Sequence, residues 1–461
     1  MTGFLLSSLK INKIKDFVFY LLILFIPTQL GRHFWPEFSF IKGVRIDYLS
    51  PTLYVTDMLI LLIFVFWIFS KSKFLISNFP PALAFGKSRW RAGKFLIKSK
   101  FSKSKLAIFI FVLFLIIGIV SSKSPAAGFF GLIRLLGFVF LGFYTAKNIN
   151  ALKLQNVLLM FSLGIVFESF LAISQYFNHG SINGIFYFFG ERFFNSLTPG
   201  IANASLGGEL FLRPYGTFPH PNVLAGYLVI GMTLISSKFK VKSSKLRKIF
   251  YCVALLIGTV AIFLTLSRVA ILLWVVILGF VFVRRFIKTK SKISIFYLLF
   301  SIFALGVVSF LLINSPLGSR FTELKLTDES IAQRESLIQS SILMIKDSPM
   351  VGVGLNNFLI NLPYYQESTT PLFYLQPVHN LFLLILSEIG ITGFLFVLWF
   401  MFRTAEEMRR KKEFQISNFK FQILLTVFVL GMFDHYFLTL QQGQLLFSLI
   451  LGLCWSDKLK N

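Results

Sequence analysis

The chain has 461 residues, of which 56% are hydrophobic, 17% aromatic and only 14% charged. A soluble domain carries about 25% charged residues, whereas apolar runs of about 18 or more residues recur here, each long enough to cross a bilayer. This excludes a soluble globular protein and predicts an all-α polytopic membrane protein, since a β-barrel would read as short alternating strands rather than continuous apolar runs. The net charge of +27 lies in short clusters between apolar runs, as the positive-inside bias produces, and so points away from nucleic acid. The two cysteines, Cys252 and Cys454, both fall in apolar spans and imply neither a disulfide nor a metal framework.

In chain order, hydropathy predicts about twelve spans, at roughly 16–31, 52–70, 105–122, 128–146, 153–176, 222–237, 248–266, 268–284, 293–313, 380–402, 420–437 and 440–456. The first begins near Phe17 and lacks a small-residue cleavage site, so it reads as a span rather than a cleaved signal. Placing the N-terminus inside puts most of the Lys and Arg on one side: Lys10, Lys13 and Lys15, the acid-free run from Lys71 to Lys105, and the clusters after Lys238, Arg284 and Arg403. Both termini are therefore expected to be cytoplasmic. Five regions follow: five spans in 1–176, an outer loop in 177–221, four spans in 222–313, an outer subdomain in 314–379, and three spans in 380–461.

The histidines (His33, His179, His220, His379 and His435) all fall on or near the outer side. An outer loop of about 65 residues needs structure of its own. Within it Ile331, Leu337, Ile338, Ile342 and Ile345 form a helical apolar stripe, so an amphipathic helix is predicted from Asp328 to Lys346, ended by Ser348-Pro349.

Four groups on the outer side can carry chemistry. Arg213-Pro-Tyr-Gly-Thr-Phe-Pro-His-Pro-Asn222 is a Pro/Gly-broken turn in which Asn222 is placed to cap the next helix, with Arg213 beside a helix N-terminus that suits an anion. Ser267-Arg268 occupies a tight outer hairpin, an odd place for a cation under the positive-inside bias. Arg334 lies on the amphipathic helix, followed by Asp347-Ser-Pro-Met-Val-Gly-Val-Gly-Leu-Asn-Asn-Phe358. His379-Asn380 stands at the mouth of an apolar helix carrying Glu388, a carboxylate that inside a span is a functional candidate by default. Gly390 and Gly393, three apart on that helix, are expected to let another helix approach closely.

No His, Cys and carboxylate cluster has metal-ligand spacing, no phosphate-binding Lys-Ser/Thr loop exists, and no Asp-x-Asp pair is present to hold a nucleotide-sugar through a divalent ion. No cofactor is expected. Outer arginines with a histidine suit a lipid-linked diphosphate instead. Arginine clamps the diphosphate through paired N–H bonds, and histidine takes the proton of an acceptor hydroxyl near neutral pH.

These residues resemble the O-antigen ligase and O-antigen polymerase superfamily of bacterial membrane glycosyltransferases. The ligase pattern His-(Asn/Ser/Gln)-x9-Gly-x-x-(Gly/Thr/Tyr) is met by His379, Asn380, Gly390 and Gly393, and the ligase Arg-x3-Leu by Arg268 and Leu272. The Gly-Thr-Phe-x-His-Pro-Asn turn at 216–222, Ser267-Arg268, and Gly-Val-Gly-x-x-x-Phe at 352–358 are similar to the wider superfamily. The resemblance implies transfer of a glycan from undecaprenyl diphosphate to an acceptor on the outer face of the inner membrane, without metal or ATP. In ligases the acceptor is lipid A-core, in polymerases another lipid-linked repeat, in relatives a protein. It implies diphosphate binding by Arg268 and Arg334, and a base or acceptor-orienting role for His379. Arg213, His220, Asn222, Asn380 and Glu388 are the candidate substrate-binding residues, Arg213 on position and charge alone. A polymerase of surface polysaccharide is the alternative within the superfamily. A lipid-linked glycan transporter or flippase is the alternative of another class, although the arginines and histidines gather at one face rather than at the midplane.

Overall fold

The computed structural model describes residues 2–77, 103–206, 209–237, 244–288, 306, 329–366, 375–410 and 414–456. Apolar segments in lipid must satisfy their backbone polar groups internally, and this chain does so almost wholly as helix. The long helices are α1 (Thr2–Leu24), α2 (Val55–Ser77), α3 (Lys103–Val120), α4 (Pro125–Asn148), α5 (Ala151–Asn178), α6 (Pro221–Ser237), α7 (Lys245–Leu264), α8 (Arg268–Lys288), α9 (Glu329–Asp347), α10 (Leu381–Arg410), α11 (Phe414–Gly431) and α12 (Gln441–Trp455). Local chemistry marks their starts. Ser124 accepts from Ala127 N ahead of Pro125 at the first turn of α4, Asn150 accepts from Lys153 N, and Ser244 accepts from Arg247 N.

Among the described residues, the helices at 125–148, 153–178, 245–264 and 381–410 are long and apolar enough to cross a membrane. Shorter apolar helices lie at 55–70, 106–120, 221–236, 268–281 and 420–431. The mostly helical membrane character thus stands, while the count of about twelve spans is not reproduced. The expected span at 293–313 lies outside the described residues. The first helix also ends at Leu24, short of the expected boundary, because Pro27 lies just beyond it.

One apolar core runs through the bundle, with Phe161 and Ile165 of α5 packed among Leu224, Leu228 and Ile230 of α6 and Ala254 and Ile262 of α7. Helices α4 and α12 meet through small residues: a Cβ at Gly452 would lie 2.6 Å from the Gly142 carbonyl. At one end of the bundle the inter-helix segments knit together. Thr217 Oγ1 donates to the Pro27 carbonyl at 2.9 Å, and Asn357 Nδ2 donates to the Ser124 carbonyl at 3.1 Å. Here three small antiparallel hairpins form: β1 (Gly31–His33) with β4 (Thr52–Tyr54), β2 (Phe40–Ile41) with β3 (Val44–Arg45), and β5 (Asn203–Leu206) with β6 (Glu209–Leu212). A second core joins Ile41, Ile46 and Leu49 of the first of these segments to Leu337 and Met344 of α9 and to Phe358, Val378 and Leu384.

The amphipathic helix lies within a residue of its predicted bounds, but its buried face differs from the predicted stripe. Leu337, Ser340, Ser341 and Met344 are buried, while Ile338, Ile342 and Leu343 are exposed. Serines let α9 lie close against α10, where Ser387 Oγ donates to the Ser341 carbonyl at 3.5 Å and to the Leu383 carbonyl at 2.8 Å. Small hydroxyls, satisfied by carbonyls one turn back, can outrank larger aliphatic side chains where two backbones must approach.

Helix α10 is broken at Gly390, whose φ of 63° and ψ of −174° are non-helical. The break frees backbone groups, which the chain at 349–354 takes up. Ile391 N donates to Pro349 O (2.8 Å), Val353 N to Ser387 O (2.8 Å) and Gly354 N to Glu388 O (2.9 Å). A Cβ on Gly390 would stand 2.5 Å from Met350 backbone carbon, and one on Gly352 would stand 2.5 Å from that of Glu388. The expectation that Gly390 serves helix–helix packing is therefore corrected: its partner is an inserted loop, and the glycine is needed first for its backbone conformation. Gly393 packs against the Ile389 side chain of its own helix.

Candidate active site

The site is assembled at the knitted end of the bundle, starting from His379. Asn380 caps α10 by accepting from Phe382 N (2.9 Å) and Leu383 N (3.0 Å), while its amide donates to the Met432 carbonyl (3.0 Å). Asn380, expected among the substrate-binding residues, thus has both side-chain ends in structural bonds. These bonds fix the chain direction at His379 and tie it to the turn after α11.

That turn delivers Asp434 and His435, the residues the sequence reading did not pick out for chemistry. Asp434 Oδ1 lies 3.7 Å from His379 Nδ1 and 4.0 Å from His435 Nε2. Asp434 Oδ1 also accepts from His435 N at 2.8 Å. His435 Nδ1 lies 2.7 Å from Thr439 Oγ1, which is also 3.3 Å from the His435 carbonyl. Tyr48, from the segment between α1 and α2, packs edge-on against His435 with ring centroids 5.6 Å apart. The His379 and His435 rings stand 5.1 Å apart. His379 Nδ1 is itself buried with no hydrogen-bond partner. At 3.7 Å it is just beyond hydrogen-bonding range of Asp434, a gap of the size that closes when a catalytic site engages its substrate.

A chain of hydrogen bonds extends from this cluster to the α7–α8 hairpin. Asn222 Nδ2 donates to Asp434 Oδ2 (3.4 Å), Arg213 Nη2 donates to Asn222 Oδ1 (2.7 Å), and Arg213 Nε donates to the Thr265 carbonyl (2.8 Å). Thr265 is three residues before Arg268, the half-buried first residue of α8. Leu266 between them holds a φ of 54°, uncommon for a branched residue and a mark of local strain at the hairpin. Asn222 is a bridge rather than the expected cap. Helix α6 starts at Pro221, which has no N–H to satisfy, and His220 caps instead: its carbonyl accepts from Val223 N and Leu224 N, and its Nδ1 accepts from Asn222 N at 3.1 Å.

Charge follows from this packing. Burial pushes the His220 imidazole down to about 3, reinforced by Arg213, His379 and Arg334 against the pull of Asp434. Burial likewise pushes His435 down to about 3; Asp434 opposes this, and His379 and Arg334 add to it. Exposed Arg334 on α9 is therefore near enough for its charge to reach both rings. Burial alone would raise the Asp434 carboxyl, yet the His379 imidazole, with the His435 and His220 rings beside it, holds it well below the usual carboxylate range. His220 and His435 are therefore neutral near pH 7 beside an ionised Asp434.

His379, Asp434 and His435 each offer one donor atom, all within 4.8 Å of one another. The expectation that no such cluster exists is corrected, because Asp434-His435 arrives on a different helix connection from His379. The set has the donor types a divalent ion takes. The positive charge of Arg213 and Arg334 at its edge favours a shared proton over a dication.

Glu388 does not join this cluster. Its half-buried carboxylate accepts from Asn356 N (3.0 Å) and Phe358 N (3.4 Å), anchoring the loop inserted at the α10 break. It lies nine residues along α10 from His379, about 13 Å of helix rise. Glu168, the other deep carboxylate, likewise clamps Thr217 through N (2.9 Å) and Oγ1 (2.7 Å), holding the Gly216–Asn222 turn.

Residues 253–398 match the O-antigen ligase family model. The stretch runs from α7 into α10 and holds Arg268, Arg334, His379, Asn380, Gly390 and Gly393; Arg213, His220, Asn222, Asp434 and His435 lie outside it. No curated protein matches the chain. The match supports the O-antigen ligase and polymerase superfamily, and with it a membrane glycosyltransferase-like enzyme.

Proposed function

We propose that the protein is an O-antigen ligase-like glycosyltransferase. It moves a glycan from undecaprenyl diphosphate to an acceptor, lipid A-core or a similar hydroxyl-bearing glycan, on the outer face of the bacterial inner membrane. The observation that carries this reading is the His379–Asp434 pair, set at the end of a hydrogen-bonded chain that leads through Asn222 and Arg213 to the Arg268 hairpin. His379 takes the acceptor hydroxyl proton as the oxygen attacks the sugar carbon. Asp434 stabilises the imidazolium that forms, and buried His435 and Tyr48 keep ring and carboxylate in register. Arg268 and Arg334 neutralise the diphosphate as it leaves with the bonding electrons. Arg213 supports the site at one remove, through Thr265 and Asn222. The donor set at His379 serves proton transfer, and the reaction proceeds without metal or ATP. With this reading go the five-region layout and cytoplasmic termini, proposed from the positive-inside bias, by which this end of the bundle would face outside.

The test is in vitro transfer with purified protein, undecaprenyl-diphosphate-linked glycan and lipid A-core, with a chelator, beside a reaction lacking the acceptor. Glycan on lipid A-core, lost in His379→Ala, is the expected result. Longer lipid-linked chains in the acceptor-free tube would make it a polymerase. Transfer that vanishes with chelator and returns with a divalent ion would reassign the cluster to a metal. Intact donor moved across vesicles, with no new bond, would make it a transporter.

A further inference from the structure

Between α5 and β5 the chain reads Ile182-Asn-Gly-Ile-Phe-Tyr-Phe-Phe-Gly-Glu-Arg-Phe-Phe194, and Gly184–Phe189 forms a 3-10 turn with no buried residue. Tyr187 is 64%, Phe188 72% and Phe193 75% exposed. An apolar ridge this dense is not left against water without a partner. Its neighbour names the partner. The rings of Phe186 and Phe189 lie 6.1 and 5.4 Å from Phe167 of α5, and Phe186 lies 6.5 Å from Phe170. Phe170 and Phe177 are themselves exposed on α5, a helix long and apolar enough to cross a membrane. That apolar flank of α5 therefore meets the turn directly through Phe167 and Phe170, and 182–190 holds no charged side chain.

We propose that Ile185–Phe193 inserts into the phospholipid leaflet at the site end of the bundle and sets the depth of the catalytic turn in the membrane. Aromatic side chains favour that interface. The mechanical link is short. Buried Glu191 closes the turn by accepting from Ile182 N (2.8 Å), Asn183 N (2.7 Å) and Gln175 Nε2 (2.8 Å). Gln175 Oε1 in turn accepts from Tyr215 N (2.9 Å) and Gly216 N (2.8 Å). Arg192 Nη2 donates to the carbonyl of Pro219, next to His220, at 2.7 Å. Lipid contact at Phe188 thus reaches the Gly216–Asn222 turn through side chains held by hydrogen bonds, with no flexible spacer. Insertion of the ridge stands apart from the transferase reading, while its effect on transfer rests on that reading.

The experiment uses the full chain with Cys252→Ser and Cys454→Ser, a Phe188→Cys substitution carrying an environment-sensitive fluorophore, and nanodiscs of phosphatidylethanolamine and phosphatidylglycerol. Lipids spin-labelled near the head group should quench the label about twofold, while aqueous iodide should not, as for a side chain at the headgroup–acyl boundary. Iodide quenching without spin-label quenching would show the ridge in water and overturn the proposal. Protection from both quenchers would mean a protein partner covers it, and would overturn it equally. A Phe188→Glu, Phe193→Glu double variant adds a functional arm: transfer should fall about tenfold, the proper fold being checked by its melting temperature. The fluorescence arm stands even if no transfer is found in any variant.

Discussion

At the residue scale, the reactive group and its support separate cleanly. His379 stands at a helix mouth with Nδ1 unpartnered, while Asn380, Asn222 and Arg213 are held in hydrogen bonds. His379→Ala should abolish transfer and leave membrane insertion unchanged, with the melting temperature as the check on the fold. Asp434→Asn keeps the shape and removes the charge. It should lower kcat by about a hundredfold or more and reshape the pH–rate profile on its acid limb, which a purely structural contact would leave in place. Arg268→Lys should also lose transfer, because an ammonium lacks the paired N–H fork. The histidines carry a stability prediction. His220 and His435 are held at about 3 in the folded protein, below the ordinary value, so the unfolded chain protonates first as pH falls. Their contribution is full above about 6.5 and is lost toward 3, at no more than about 1.4 kcal/mol per pH unit for each group. Melting temperature in detergent should therefore drop between pH 6.5 and 4.5, and drop less in His435→Gln. An identical acid slope in that variant would remove His435 from the account.

At the element scale, the break in α10 holds the site helix to the loop before it. Gly390→Ala places a side chain where its φ is 63° and a Cβ would meet Met350 at 2.5 Å. A backbone of that kind costs about 1–3 kcal/mol for a non-glycine residue, before the clash is relieved. The variant should melt several degrees lower and expose the 349–354 backbone to hydrogen exchange. Protection there equal to wild type would show that the loop is held by other contacts. The sequence made much of this end of the chain legible: apolar runs placed α10, and period with the Ser348-Pro349 stop placed α9 to within a residue. It did not reveal the break, because glycine in an apolar helix reads as a packing residue until a partner backbone is seen. The inward face of α9 was hidden for a similar reason. Serine scores as polar, yet Ser340 and Ser341 are what the close α9–α10 approach requires.

At the scale of the whole molecule, the site depends on segments that composition cannot connect. Charge bias gathered the arginines and histidines on one side, and so pointed to one end of the bundle. It could not single out Asp434, one acid in a short turn, or Tyr48, which comes from near the other end of the chain. Both become partners of the histidines only once α1, α2, α11 and α12 are packed. The same packing makes a sharp test of whether the site is one unit. Arg213 is joined to Asp434 through Asn222 and to the Arg268 hairpin through Thr265. If that chain positions Asp434, then Arg213→Gln and Asp434→Asn should not be additive in kcat. Once Asp434 has lost its charge, losing the guanidinium should add little, leaving an interaction energy of about 0.5–3 kcal/mol. The cycle is measured as four kcat values at saturating donor, with melting temperatures to exclude unfolding. Additive losses would mean that Arg213 acts on the substrate diphosphate independently of the His379–Asp434 pair. The raised KM for donor would then follow Arg213→Gln alone. Coupled losses with an unchanged KM would make the end of the bundle a single device, in which the α7–α8 hairpin sets the geometry of a carboxylate delivered by the turn after α11.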